Sequence, residues 1–233
     1  MKLLITGGTG VLAHASIPLL RDAGHEIDAR GRGELDLFDP VATRAAVDGA
    51  DAVVHLATHI PRRGEQGDPE AWRVNDRLRN EATPILVDAA LEAGVGRFVF
   101  PSIAFVYPAS GPADESTPVA SPAPELARSA LEAEREVTRF AEAGRDGVIL
   151  RLGLLYGPGT GSEAPAERFA PYGATLRIED AGSALAVSLD IPAGIYNVTS
   201  DGERISNRRL KEASAWRPEH AKEPVTGERE EAG

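Results

Sequence analysis

The chain contains no cysteine and one methionine, and aromatic residues make up only 5% of it. With no thiol, disulfides, thiolate metal sites and cysteine nucleophiles are all excluded, and no cysteine spacing points to an oxidising compartment. Long apolar runs are missing as well. The opening Met1-Lys2-Leu3-Leu4-Ile5-Thr6-Gly7 is apolar for a few residues before glycines arrive, whereas a secretory leader or a membrane span needs a longer stretch. Positive charge is the minority: 25 Lys and Arg face 36 Asp and Glu, a formal net charge of -11. No block of basic residues is present to neutralise a row of phosphates. These absences predict a cytoplasmic protein that partners neither nucleic acid nor an anionic membrane surface.

What is present suits a globular α/β protein. The 233 residues are 42% hydrophobic and 26% charged, enough to bury a core in one domain or two small ones. Lys2 to Ile5 is a short apolar run that ends in Thr6-Gly7-Gly8-Thr9-Gly10, a buried strand entering a tight turn. Helical spacing follows over 11–23, with Gly24 as its C-cap. Residues 25–30 read as a second strand, and Asp39-Pro40 opens a helix to about residue 47. Further strands are expected at 51–57, 97–102 and 148–152. Helices are expected at 81–93 and 125–143, with a Pro/Ser/Ala-rich loop over 108–124. Strands that alternate with helices imply a Rossmann-type, doubly wound parallel sheet covered on both faces. The expected organisation is a dinucleotide-binding domain over residues 1–158 and a small, truncated C-terminal substrate lobe over 159–216 interleaved with it. The tail, 217–233, lacks the apolar content to pack and is expected to be disordered.

The glycine turn carries the chemistry. In Gly7-x-x-Gly10-x-x-Ala13, Gly7 permits the sharp turn, Gly10 lets backbone approach a pyrophosphate, and small Ala13 lets helix pack on strand. The phosphates then rest on N–H groups at the helix N-terminus, from Thr9 and Gly10 through Val11 and Leu12. The end of the second strand reads Asp28-Ala29-Arg30-Gly31-Arg32. Arg30 and Arg32 suit the 2′-phosphate of NADP, while Asp28 keeps NAD open.

With these residues in view, the chain resembles the extended short-chain dehydrogenase/reductases, the group of NAD-dependent epimerases and dehydratases, over most of residues 1–216. Besides the glycine turn, the resemblance rests on Glu34-Leu35-Asp36-Leu37-Phe38-Asp39-Pro40 and on Asp51-Ala52-Val53-Val54-His55-Leu56-Ala57. It rests further on Arg97-Phe98-Val99-Phe100-Pro101-Ser102 with Val106-Tyr107, on Arg151 with Tyr156-Gly157-Pro158-Gly159, and on Arg177-Ile178-Glu179-Asp180-Ala181 and Ile195-Tyr196-Asn197-Val198. It implies that Asp36 and Leu37 contact adenine and that Leu56, Ala57 and Thr58 line the cofactor. A small-molecule substrate and a homodimer through the long helix are also implied.

The family's proton chemistry rests on a Tyr-x-x-x-Lys pair one helical turn apart, the lysine lowering the tyrosine pKa. The matching segment here places Leu126 and Ala130 at those positions. None of Tyr107, Tyr156, Tyr172 and Tyr196 has a lysine four residues on. The family's Ser/Thr falls at Ile103, with Ser102 one place early and so on the opposite strand face unless a bulge intervenes. Ser102 and Tyr107 are the candidate replacements, with Arg128 and Ser129 nearby. Two readings stay open: an enzyme acting on a small carbonyl or hydroxy compound with altered catalysis, and a non-catalytic dinucleotide-binding module. A non-redox isomerase on the same fold is a third. His55-x-x-x-His59 has helical metal spacing but sits at a strand end, so no metal is expected: His55 is read as a buried neutral imidazole and His59 as a pocket residue. Trp72 and Trp216 are read as packing aromatics.

Overall fold

Alternation along the first strand already divides the interior. Leu3 and Ile5 of β1 (Lys2–Thr6) pack into one core and Leu4 into another, on the two faces of the sheet. Val54 and Val53 of β3 (Ala52–His55) divide in the same way, as side chains of successive strand residues must. β2 (Glu26–Arg30) lies at one margin, and β4 (Arg97–Ile103) and β5 (Asp146–Leu152) continue inward. After the short strands β6 (Leu154–Tyr156) and β7 (Thr175–Arg177), β8 (Gly194–Val198) returns to the main sheet. The main sheet has six parallel strands in the order β2-β1-β3-β4-β5-β8, while β6 and β7 pair separately. This computed structural model describes residues 1–62, 64–164 and 174–219.

Two layers of helix cover the sheet, giving the expected Rossmann arrangement. α1 (Val11–Asp22) and a later helix at Ile178–Val187 close the Leu3 face and pack on one another, so tightly that a methyl on Gly182 would meet the Ala15 carbonyl at 2.7 Å. The opposite face takes α2 (Pro40–Val47) and, further along, the helices at Thr83–Glu92 and Glu125–Glu142 through Val87, Val137 and Phe140. The expected helix at 81–93 proves to be the end of a longer helical stretch. It begins as α3 (Pro69–Arg77), widens through a π turn at Leu78–Ala82 and continues as α4 (Thr83–Glu92). Asp68 caps its start by accepting from the Glu70 N–H, with Pro69 in the first turn. That Asp-Pro signature also opens α2 at Asp39-Pro40. The polar sequence of α3 hid it from an apolar-periodicity reading. At the π turn both the N–H and the hydroxyl of Thr83 reach back to the Leu78 carbonyl.

The long helix α5 (Glu125–Glu142) stands where expected, followed by α6 (Ile178–Val187) and α7 (Arg208–Ala213). Trp216 is buried and donates its indole N–H to the Asp180 carbonyl and the Ser183 hydroxyl. Residues 165–173 of the small lobe and 220–233 of the tail, where disorder was expected, lie outside the described residues; of the tail, residues 217–219 are described, with the Glu219 N–H donating to Asp180 Oδ1. Among the described residues no helix is long and apolar enough to cross a membrane.

Candidate functional site: a dinucleotide cradle beside a buried ionic network

β1 delivers its C-terminus into the glycine turn at the carboxyl edge of the sheet. Gly7 has φ +73°, and a methyl there would lie 2.6 Å from the Ala57 nitrogen, so backbone and sterics both demand glycine. On the other side, a methyl on Gly8 would lie 2.8 Å from the Ala29 Cβ. The Gly10 N–H donates to the Gly7 carbonyl, and Gly10 then stands at the N-cap of α1 without any side chain to cap it. The first amides of a helix have no intrahelical partner. Here they face outward, because Thr9, Gly10 and Val11 are exposed and Leu12 is half-buried. A pyrophosphate fits the uncapped amides, since no side chain occupies the N-cap position and the positive end of the helix dipole suits an anion there.

Strand registry ranks the residues at the β2 edge. Arg30 pairs with Thr6, the residue just before the turn, whereas Asp28 pairs with Leu4, about 6–7 Å deeper along the strand. The Arg30 guanidinium is held by Asp28 in a two-pronged ion pair, Nε–Oδ1 2.5 Å and Nη2–Oδ2 2.9 Å, on the surface. Arg32 instead crosses to His59, whose Nδ1 accepts from its Nη2 at 3.0 Å. His59 is itself fixed by its backbone N–H to the Oδ1 of buried Asn75 at 3.1 Å. The exposed Asp36 accepts from the Phe38 N–H, and Leu37 is buried beneath it. Past β3, Leu56 is buried, Ala57 is half-buried against Gly7, and Thr58 is exposed.

His55 lies below this edge, wholly buried between the Thr6 hydroxyl at 2.6 Å and the Thr83 hydroxyl at 3.2 Å, and stacked on Phe100. Burial, reinforced by the Arg79 charge, pushes its pKa down to about 4, so the imidazole is neutral at pH 7. Among the described residues no group of three or more His, Asp or Glu side chains is arranged to hold a metal.

Ser102 and Tyr107 belong to one buried network. The Ser102 hydroxyl donates to Glu134 Oε1 at 2.5 Å. Arg151 clamps the same carboxylate, Nε to Oε1 at 3.0 Å and Nη2 to Oε2 at 2.6 Å, and donates from Nη1 to the Tyr107 oxygen at 2.8 Å. Tyr107 in turn donates to Asn197 Oδ1 at 2.9 Å. Ser102 and Tyr107 are 2% and 3% exposed, so a substrate meets either hydroxyl only if the network parts. Burial raises the Tyr107 pKa, although the Arg151 charge opposes it. For Arg151 burial acts downward but the Glu134 contact outweighs it, and the guanidinium stays charged.

On α5, Leu126 is exposed and Ala130 is buried. Ser129 is buried and accepts a long contact of 3.4 Å from Arg79 of the π turn. Arg128 is exposed and paired with Glu125. The sequence reading missed Arg79, whose pKa burial lowers to about 10. No residue-level signal exists for it, because its burial follows from the π turn. The Asn75 anchor of His59 was missed because the helix that carries it, α3, was not expected.

A family model described as "NAD dependent epimerase/dehydratase family" matches residues 3–182. The chain belongs to that family. Its sheet is the NAD-binding Rossmann type. Among curated relatives, a "3-diazoavenalumate denitrifying reductase" of Streptomyces sp is 36% identical over 86% of this chain and 67% of its own length. A "2-alkyl-3-oxoalkanoate reductase" of Stenotrophomonas maltophilia is 31% identical over 72% of this chain and 56% of its own. This family member thus spans only about two thirds and just over half of those two relatives. In fold it is similar to the UDP-glucose 4-epimerase of Thermus thermophilus in complex with NAD, with TM-score 0.74 and 19% identity over 94% of both chains. An Agrobacterium tumefaciens short-chain dehydrogenase/reductase superfamily protein with bound NAD gives TM-score 0.74 and 19% identity over 95% of this chain and 93% of that one.

Proposed function

We propose that this protein binds a nicotinamide dinucleotide, NADP in preference to NAD, and acts as a reductase-type enzyme on a small carbonyl or hydroxy compound. The observation that carries the reading is the uncapped helix N-terminus behind Gly7 and Gly10, open to solvent and shaped for a diphosphate. Gly7, Thr9, Gly10, Val11 and Leu12 hold the pyrophosphate, Asp36 and Leu37 flank the adenine, and Leu56, Ala57 and Thr58 line the path to the nicotinamide. The bound nicotinamide supplies hydride transfer. NADP is favoured because Arg30 ends β2 nearest the turn while Asp28 lies deeper and is already neutralised by it. That ion pair is exposed and screened by solvent, so a phosphate can compete with Asp28 for the Arg30 guanidinium.

Both curated relatives are named as reductases, which supports reduction over epimerisation. Few residues separate Gly159 from Arg177, and among the described ones there the only strand pairing is β6 with β7, which favours a small substrate over a sugar nucleotide. In this reading Ser102 or Tyr107 exchanges a proton with the substrate oxygen, and the Glu134–Arg151 pair holds and polarises both hydroxyls without relaying a proton itself. The burial of both hydroxyls, with Leu126 and Ala130 at the positions of the family's catalytic pair, also favours a second reading, a non-catalytic dinucleotide-binding module.

Fluorescence titration with NADPH and NADH, followed by absorbance assays with ketones, aldehydes and sugar nucleotides, separates the two. Turnover lost in Ser102→Ala or Tyr107→Phe supports the enzyme, and tight binding with no turnover on any substrate supports the module. Replacing Arg30 and Arg32 together with alanine should weaken NADPH at least ~10-fold more than NADH, the loss of about one charge-assisted phosphate contact. Equal losses for the two cofactors would remove the NADP preference.

A further inference from the structure

We propose that His59 is a specificity-determining residue: it holds Arg32 across the glycine turn so that the guanidinium meets a phosphomonoester on the adenosine ribose. This rests on the NADP reading above and deepens it.

Topology supplies the first part of the argument. β1 lies between β2 and β3, so the segments that leave β2 and β3 flank the turn that leaves β1. Both flanks touch it. A methyl on Gly31 would lie 3.0 Å from the Thr9 side chain, and one on Gly7 would lie 2.6 Å from the Ala57 nitrogen. Arg32 starts from the β2 flank and His59 from the β3 flank, and their side chains meet at 3.0 Å. The contact therefore bridges the two walls of the cradle at its mouth.

Hydrogen-bond chemistry supplies the rest. A guanidinium only donates, so His59 Nδ1 is the acceptor and the ring is the neutral tautomer with its proton on Nε2. The ring is not adrift, since its backbone N–H is fastened to Asn75, a fully buried side chain. The two arginines are not equivalent. Arg30 commits both prongs of its fork to Asp28, whereas Arg32 has no carboxylate partner among the described residues and gives only Nη2 to His59. Its remaining N–H groups keep the planar arrangement that binds a phosphate by two parallel hydrogen bonds. His59 thus pre-orders a long side chain that would otherwise lose rotamer freedom on binding, and it acts through Arg32 as a positioning residue.

Adenosine 2′,5′-bisphosphate and 5′-AMP are suitable probes, because they differ only in the ribose phosphate and carry no nicotinamide. By calorimetry on the whole chain, His59→Ala should weaken the bisphosphate about ten-fold and leave 5′-AMP within about two-fold. Arg32→Ala should weaken the bisphosphate at least as much, and the double variant should be no worse than Arg32→Ala alone, because His59 has no effect without its partner. His59→Gln, which keeps an acceptor oxygen, should recover most of the loss. Additive losses in the double variant, or equal weakening of both probes by His59→Ala, would overturn the proposal while leaving NADP binding intact. If the unmodified protein binds 5′-AMP and the bisphosphate equally, the NADP preference falls and this proposal falls with it. If it binds neither probe, the dinucleotide reading itself fails.

Discussion

Replacing Glu134 with leucine should destabilise the protein by about 3–5 kcal/mol, a large share of the total stability of a domain of this size. The Glu134 carboxylate, 6% exposed at the side chain, accepts from the Ser102 hydroxyl and twice from Arg151, itself 6% exposed. Without it the Arg151 guanidinium keeps only the Tyr107 oxygen as a partner in this network and remains charged in the interior. Arg151→Met should cost a similar amount for the mirror reason, a buried carboxylate left with one hydroxyl. Attraction across the pair roughly offsets the cost of taking both ions out of water, so removing both should be far milder than removing either. The double variant Glu134→Leu, Arg151→Met should lose about 1–3 kcal/mol, chiefly from the Ser102 and Tyr107 hydroxyls left short of a partner. The coupling energy should therefore exceed about 3 kcal/mol. Urea unfolding of the four proteins, followed by circular dichroism with a common slope, measures it. Additive single losses would show that the two charges are solvated independently, and the buried network would be wrong.

His55 makes stability depend on pH. Its folded pKa of about 4 lies below the unfolded value of 6.5, so the unfolded chain binds the extra proton between those values. The His55 contribution is therefore complete above pH 6.5 and is lost as pH falls towards 4, by about 3 kcal/mol in all. Chemical unfolding at several pH values should show the difference between the protein and His55→Asn shrinking over that window; a constant difference would contradict it. Gly7→Ala forces φ +73° on an alanine and drives its methyl to 2.6 Å from the Ala57 nitrogen. We expect a loss of about 2–4 kcal/mol and a dinucleotide affinity below detection, read by thermal unfolding and by NADPH fluorescence. A stable Gly7→Ala protein with unchanged affinity would show that the pyrophosphate lies elsewhere.

Local chemistry settled more of the architecture than of the site. β1, the glycine turn and α1 were legible because a strand, a positive-φ glycine and an uncapped helix start each leave a mark within a few residues. The Asp-Pro start of α2 was legible for the same reason. The equivalent start of α3 carries the same mark, but its polar body lacks the apolar rhythm that the reading relied on. The identity of the buried ionic pair was beyond any local rule. Glu134 sits on α5 among Glu132, Arg135 and Glu136, and nothing nearby in sequence distinguishes the one carboxylate that turns inward to Arg151.

The sequence by itself determined that strands and helices alternate, that a glycine turn follows the first strand, and that no tyrosine has a lysine four residues on. Those are properties of periodicity and residue type, which act over short spans. Only the tertiary structure decided that Ser102 and Tyr107 face a carboxylate and a guanidinium, that Asp28 answers Arg30, and that Arg32 reaches His59. Hydrogen bonds and ion pairs between distant segments depend on strand order and on which face of a helix is covered, and both are fixed by the packing of the whole chain.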